Sequence, residues 1–355
     1  MNILFSCDDN YAKYLAVTML SIIHARDKNN ECYTIHFYLL DMGISTVAKD
    51  YCIELANKNN CRLDITPINI SDFEKFPRTI EYISLSTYAR LNLASYLKKF
   101  NLTKIIYLDI DILVNHSLLP LWNTDLGNKA IGACYDAFIE SQEKSKRMSS
   151  QSVSQSVSQS VSQSVSQQSV SQSVSQSVSQ SVSQSVSQSD YKTKLHLPNT
   201  HFYFNAGVLL INVVEWEKCH VFEKSLQWIE YCKRNNIEFL YQDQDILNAI
   251  FANNVKYLDL RYNFTANALN RLKRVSKKER NQYEEATMPL AIIHYVGPKK
   301  SWHEKCSMLK ANLFCHLFQQ LENPPKEWKV ENVSLIRKLK RFAKDLRHKI
   351  IYKIY

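Results

Sequence analysis

Two carboxylates one residue apart, Asp109 and Asp111, interrupt the apolar run Lys104-Ile105-Ile106-Tyr107-Leu108-Asp109-Ile110-Asp111-Ile112-Leu113-Val114. In an extended strand alternate side chains share a face, so the two acids would point the same way. Two neighbouring anions at the end of an apolar strand are costly without a compensating positive charge. A hard divalent cation supplies it, because carboxylate oxygens suit Mg²⁺ and Mn²⁺. The pair therefore reads as a metal site on a core strand.

Four further clusters carry chemistry. Asp8-Asp9-Asn10-Tyr11 closes the first apolar run. The chain has five glycines and no Gly-x-Gly-x-x-Gly, which excludes a dinucleotide fingerprint and a P-loop. A short acid and amide loop can instead hydrogen-bond uracil and ribose hydroxyls; a helix cap by Asp9 or Asn10 is the plainer alternative. In Asn205-Ala206-Gly207-Val208 the glycine permits close backbone approach and Asn205 can bond a sugar hydroxyl; the alternative is a turn into a strand. Tyr241-Gln242-Asp243-Gln244-Asp245 precedes a helix with more acids and amides than a cap needs, which suits polyhydroxyl recognition. His294-Tyr295-Val296-Gly297-Pro298-Lys299-Lys300 follows an apolar strand. There His294 can ligate a metal, Gly297 frees the backbone, and Lys300 can meet phosphate oxygens as a point charge. A core histidine is the alternative for His294.

The elements that must position these groups alternate. Strands are expected over 2–6, 33–40, 62–68, 104–114, 130–135, 204–212 and 290–295. Helices are expected over 11–24, 45–57, 86–97, 215–233 and 243–252. Such alternation predicts an α/β fold with a mostly parallel sheet flanked by helices and ligands at the carboxyl ends of the strands.

A tract at 149–190, repeating Ser-Val-Ser-Gln over 152–189, has no aromatic residue and too little apolar surface to offset ordering entropy. It is expected to be disordered. Ser-Gln-Ser-Val can be encoded as a repeating AGTC, so the gene is read as a phase-variable one that slips by frameshift; a gene without a pure tetranucleotide run would overturn this. A polar linker is the alternative. Nine scattered cysteines fit reduced thiols in a cytoplasmic protein. There is no signal peptide at the start of the sequence and no run of about 18 apolar residues. Of a net charge of +10, most sits after residue 336, where eight Lys or Arg face only Asp345. The rest is nearly balanced, which argues against a nucleic-acid footprint. Leu335, Leu339, Phe342, Leu346, Ile350 and Ile354 recur at helical spacing among these cations. The region 326–355 thus reads as a basic amphipathic tail for the inner face of the cytoplasmic membrane; a helix packed on the domain is the alternative.

Together these motifs, with Ser84-Leu85-Ser86-Thr87-Tyr88-Ala89-Arg90-Leu91 and Pro120-Leu121-Trp122-Asn123-Thr124-Asp125-Leu126, closely resemble glycosyltransferase family 8. Within it they resemble the bacterial lipooligosaccharide α-1,4-galactosyltransferases. The resemblance covers nearly the whole chain outside the repeat, and it implies a glycosyltransferase domain over 1–325. It implies a Rossmann-like GT-A sheet and a retaining transfer of galactose from a UDP-sugar to a lipooligosaccharide or lipopolysaccharide core. It also implies Mn²⁺ or Mg²⁺ on Asp109, Asp111 and His294, and uridine on Asp8 and Asn10. Arg90, Ile110, Asp136, Asn205, Ala206, Gly297 and Lys300 are implied around the rest of the donor, with Asp243 and Gln244 at the reacting centre. Tyr82, Val296 and Ser301 depart from the galactosyltransferase pattern. UDP-glucose transfer is the near alternative. An aspartyl phosphatase and a non-catalytic sugar-binding protein are the others. Phosphatases of that type carry their Asp-x-Asp near the amino terminus, with Thr or Val where Leu113 stands here.

Overall fold

The structure, a computed structural model, describes residues 1–74, 76–77, 85–137, 139–140, 194–198, 200–239, 241–265 and 289–352. The Ser-Val-Ser-Gln tract, Tyr82 and the last three residues lie outside them. The chain divides into two units, Met1–Tyr135 with Phe204–Tyr355, and Asp136–Tyr203.

The first unit begins β1 (Asn2–Cys7), α1 (Ala12–Lys28), β2 (His36–Asp41), α2 (Thr46–Lys58), β3 (Arg62–Pro67). A 3₁₀ segment Leu85–Asn92 then leads into α3 (Leu93–Leu97), β4 (Lys104–Leu108), β5 (Ile112–Val114), α4 (Leu119–Trp122) and β6 (Ile131–Tyr135). After the second unit come β7 (Phe204–Asn212), α5 (Val213–Lys218), α6 (Val221–Arg234), α7 (Asp243–Ile250), β8 (Val255–Tyr257), β9 (Phe264–Thr265), β10 (Ile292–His294), α8 (Ala311–Gln319) and α9 (Leu335–Tyr352). A seven-stranded sheet has the order β3-β2-β1-β4-β7-β6-β8. Its pairs are parallel except where β7 runs antiparallel to β4 and β6. The fold is the mostly parallel α/β class expected. The central strands read as near-continuous apolar runs because both faces are covered: Ile105, Ile106 and Leu108 of β4 and Val208 through Ile211 of β7 have no exposed surface.

Three details depart from the sequence expectation. First, residues 104–114 do not form one strand. β4 ends at Leu108 and the chain re-enters a separate three-stranded sheet, β5-β10-β9. Asp109, Ile110 and Asp111 form the crossover between the two sheets. A crossover loses ladder partners, and α1 supplies them. The Thr18 hydroxyl lies 2.9 Å from Ile110 O and 3.0 Å from Ile112 O, while Ser21 Oγ accepts Val114 N–H at 3.0 Å. Second, the helix expected over 86–97 is 3₁₀ to Asn92. There Arg90 Nε turns back to donate to Thr87 O at 3.0 Å. Third, the helix expected over 215–233 is two helices, parted at His220, whose φ of +49° is left-handed. The three-stranded sheet escaped the sequence pattern because its strands are two or three residues long, too short to show a period.

All nine cysteines are free thiols. Among the described residues no helix is long and apolar enough to cross a membrane. The helix α9 packs on the first unit by its polar side. Arg341 and His348 on it are 2% and 3% exposed, while Leu335, Ile336, Leu339, Phe342 and Ile350 are 59–72% exposed.

Candidate functional site

The site forms where β1 and β4 end and β7 begins. Because β7 is antiparallel to β4, its amino end lies beside the carboxyl end of β4, and Asp109 N–H donates to Gly207 O at 2.8 Å. His294 arrives on β10, paired with Ile112 of β5 just after the crossover. One ligand atom each from Asp109, Asp111 and His294 lie within 4.8 Å of one another. His294 Nε2 is 3.1 Å from Asp111 Oδ1 and 3.8 Å from Asp109 Oδ2.

A chain of amides determines which His294 nitrogen faces these acids. Gly207 N–H donates to the Asn205 side chain at 3.0 Å, so that atom is the amide oxygen. The Asn263 group that meets it at 2.9 Å is then NH₂. The other end of Asn263 is therefore oxygen, and it lies 2.8 Å from His294 Nδ1, which must carry a proton. In neutral imidazole this turns the Nε2 lone pair toward the two carboxylates. Two anionic oxygens and a nitrogen lone pair converging on one point fit a divalent cation. Asn263, 2% exposed, was invisible in the sequence; its lone polar position in Tyr262-Asn263-Phe264 was the only signal.

Lys300 Nζ lies 2.5 Å from Asp111 Oδ2. Burial alone would raise the Asp111 carboxyl, but the Lys300 ammonium outweighs it and holds the carboxyl well below the ordinary range. Burial likewise opposes the Lys300 charge, and Asp111 reverses it, so the ammonium is favoured. The residues between β10 and Lys300 turn at Gly297, whose φ is +86°.

Beside the trio, Arg90 is 3% exposed. Its Nε is 2.7 Å from Asp243 Oδ2 and its Nη2 is 3.3 Å from Asp109 Oδ1. Nη1 donates to Ala206 O at 2.6 Å, and the guanidinium lies 4.2 Å from the centre of the Tyr107 ring. Burial pushes the Asp243 carboxyl up to about 6, against the pull of Arg90. Gln244 Oε1 accepts Ala206 N–H at 2.9 Å, which orients the amide. Asp8 accepts Asn10 N–H at 3.0 Å and caps the turn into α1; Asn10 is exposed. Ile110 is 8% exposed, and its carbonyl accepts from the Thr18 hydroxyl at 2.9 Å. In the second unit, Asp136 Oδ1 accepts Ile139 N–H at 3.2 Å. Asn205 is 7% exposed, with its oxygen committed to Gly207 and Asn263.

Thus a carboxylate-rich site lies at a strand switch point of an α/β sheet, the place such folds use for nucleotides. The sequence pattern of Glycosyl transferase family 8 matches residues 2–306, and the chain belongs to that family. A Haemophilus influenzae protein provisionally named a glycosyltransferase is 36% identical over 352 residues, 98% of this chain and 88% of that one. An Escherichia coli K12 lipopolysaccharide 1,2-glucosyltransferase is 23% identical over 356 residues, covering 100% and 87%. The crystal structure of galactosyltransferase LgtC with donor and acceptor sugar analogs superposes with a TM-score of 0.70 at 34% identity, covering 92% of this chain and 99% of that one.

Proposed function

We propose that this glycosyltransferase moves a hexose, galactose in preference to glucose, from a UDP-sugar to a lipooligosaccharide or lipopolysaccharide core with retention at the anomeric carbon. The observation that carries it is the convergence of Asp109, Asp111 and His294 beside Lys300 in a chain 34% identical to LgtC. Mn²⁺, or Mg²⁺, held by that trio supplies Lewis-acid neutralisation of the diphosphate leaving group. Lys300 adds a fixed positive charge where leaving-group charge develops. Asp8 and Asn10 take the uridine, and Arg90, Asn205, Ala206 and Gly297 shape the donor pocket, while Asp136 of the second unit is assigned to the donor on the family resemblance alone. Asp243, oriented by Arg90, and Gln244 address the transferred sugar. Gln244 Oε1 already accepts a backbone N–H, which weakens it as a nucleophile. We therefore favour a front-face reaction in which the departing phosphate assists the acceptor hydroxyl, with the Gln244 amide orienting the sugar.

Release of UDP from UDP-galactose and UDP-glucose, with and without Mn²⁺, tests this reading. UDP release is expected to be fastest with UDP-galactose and to fall to background on chelation. Faster turnover of UDP-glucose would reassign the donor. Metal-independent release, or hydrolysis of a phosphate monoester with no UDP-sugar, would overturn the reading.

The protein works, in this proposal, on the anionic inner face of the cytoplasmic membrane. The support is the orientation of α9: its cations anchor the helix on the domain and flank the face on which Leu339 and Phe342 are 59% and 64% exposed. Each such side chain gains about 1.5–3 kcal/mol on full transfer from water, and each nearby cation adds about 1 kcal/mol at an anionic surface. Co-sedimentation with phosphatidylglycerol vesicles is expected, and Leu339→Ser/Phe342→Ser is expected to abolish it. Equal binding by parent and variant would exclude this face.

A further inference from the structure

We infer that Arg341, on the C-terminal helix beyond the residues that match the family, is a positioning residue for Lys300. This rests on the assignment of Lys300 to the diphosphate above. Arg341 is among the largest fully buried side chains of the described residues. Its Nε donates to Cys306 O at 2.8 Å, and its Nη2 to His303 O at 2.7 Å and Glu304 O at 3.1 Å. Nη1 reaches Asn312 Oδ1 at 3.4 Å. One guanidinium thus gathers three carbonyls of a single turn, a task suited to its rigid planar fork.

That turn begins at Lys300. His303 N–H donates to Lys300 O at 3.0 Å, and Lys300 N–H donates to His303 Nδ1 at 3.2 Å. Cys306 N–H then donates to His303 O at 3.0 Å, the same carbonyl that Arg341 holds. On its other side Trp302 stacks on Tyr14 of α1, with ring centres 3.7 Å apart and planes 9° apart. The backbone that carries Lys300 is therefore pinned at its far end by Arg341, while Lys300 itself reaches Asp111. The family match ends at Cys306, the last carbonyl in this grip. A helix could be anchored by any apolar face; α9 instead spends a buried charge on the carbonyls of the Lys300 turn and leaves its apolar side outward. A purely structural anchor would support the whole fold evenly. A positioning residue should affect ligands that reach Lys300 and no others.

UDP and uridine differ by the diphosphate, so their binding to the full chain in Mn²⁺ separates these roles. Calorimetry is applied to the parent, Lys300→Ala, Arg341→Lys and the double variant, with uridine followed by competition. Lys300→Ala is expected to weaken UDP by about tenfold or more, the scale of one charge-assisted bond, and to leave uridine unchanged. Arg341→Lys is expected to weaken UDP by several-fold, again without effect on uridine, and to add nothing in the Lys300→Ala background. Arg341→Gln, which keeps a planar donor group, gives an independent second variant and should show the same selectivity. Equal losses for UDP and uridine, or an Arg341 effect that persists undiminished without Lys300, would overturn the inference alone. An unchanged UDP-to-uridine ratio in Lys300→Ala would overturn the assignment of Lys300 and the inference with it.

Discussion

Gly207→Ala is expected to lower Mn²⁺ affinity by at least about 100-fold, the upper end for changes that disturb metal ligands indirectly, while the protein stays folded. A Cβ built on Gly207 would collide with the His294 ring at Cε1, and would lie 2.7 Å from Asp109 Oδ2 and 2.9 Å from His294 Nδ1. The backbone there cannot retreat. Gly207 O accepts Asp109 N–H, its N–H is committed to Asn205, and Val208 is in register with Leu108 of β4. Nor does the glycine relieve a left-handed φ, so alanine strains nothing else. Two of the three ligands must therefore move, and His294 is also tied to the amide chain through Asn263. Mn²⁺ titration read by calorimetry, beside UDP release against Mn²⁺ concentration, measures the loss. Parental Mn²⁺ binding in Gly207→Ala would show that the trio does not hold the metal.

Arg90→Met is expected to destabilise the fold by about 3–5 kcal/mol, the usual result of removing one partner from a buried ion pair. Against a total of about 5–15 kcal/mol this is a large fraction. The side chain is buried, and its loss leaves the Asp243 carboxylate, 3% exposed, without its cation. It also strips a donor from Ala206 O, whose residue orients Gln244 through its N–H. The cost has a sign in pH. In the parent, burial already places the Asp243 carboxyl at about 6, above its ordinary 3.8. The native state thus holds this proton more tightly than the unfolded chain. Its contribution favours folding at low pH and is lost as pH rises through about 6. Without Arg90 the carboxyl rises further and stays protonated where the parent ionises. The deficit of Arg90→Met should be smallest near pH 5 and grow toward pH 8. Denaturant unfolding across that range checks it, and Arg90→Met/Asp243→Asn should recover part of the loss. A deficit independent of pH, or no recovery in the double variant, would show that the Arg90–Asp243 pair is not the source.

Much of this protein is legible in its residues. Apolar runs interrupted at regular spacing by helical patterns suffice to predict the α/β class, because strand and helix periods are local properties of the chain. Asp109 and Asp111 announced an acidic site, since two carboxylates in an apolar run demand a charge partner wherever the chain folds. The tail's alternation of Leu, Ile and Phe with Lys and Arg likewise determined that α9 would be two-faced.

Tertiary structure decided the rest. The acids stand on a crossover between two sheets rather than on one strand, because Thr18 and Ser21 of a distant helix supply the partners that the crossover loses. The tautomer of His294 is set by Asn263, thirty-one residues away in sequence and in contact only because β9 and β10 pair. The tail's periodicity specified an apolar and a basic face but not which would meet the protein. Three carbonyls of the Lys300 turn needed a buried donor, Arg341 could supply it, and the apolar face was left outward. Each of these outcomes depends on hydrogen-bond partners far apart in sequence, whose geometry no local pattern encodes.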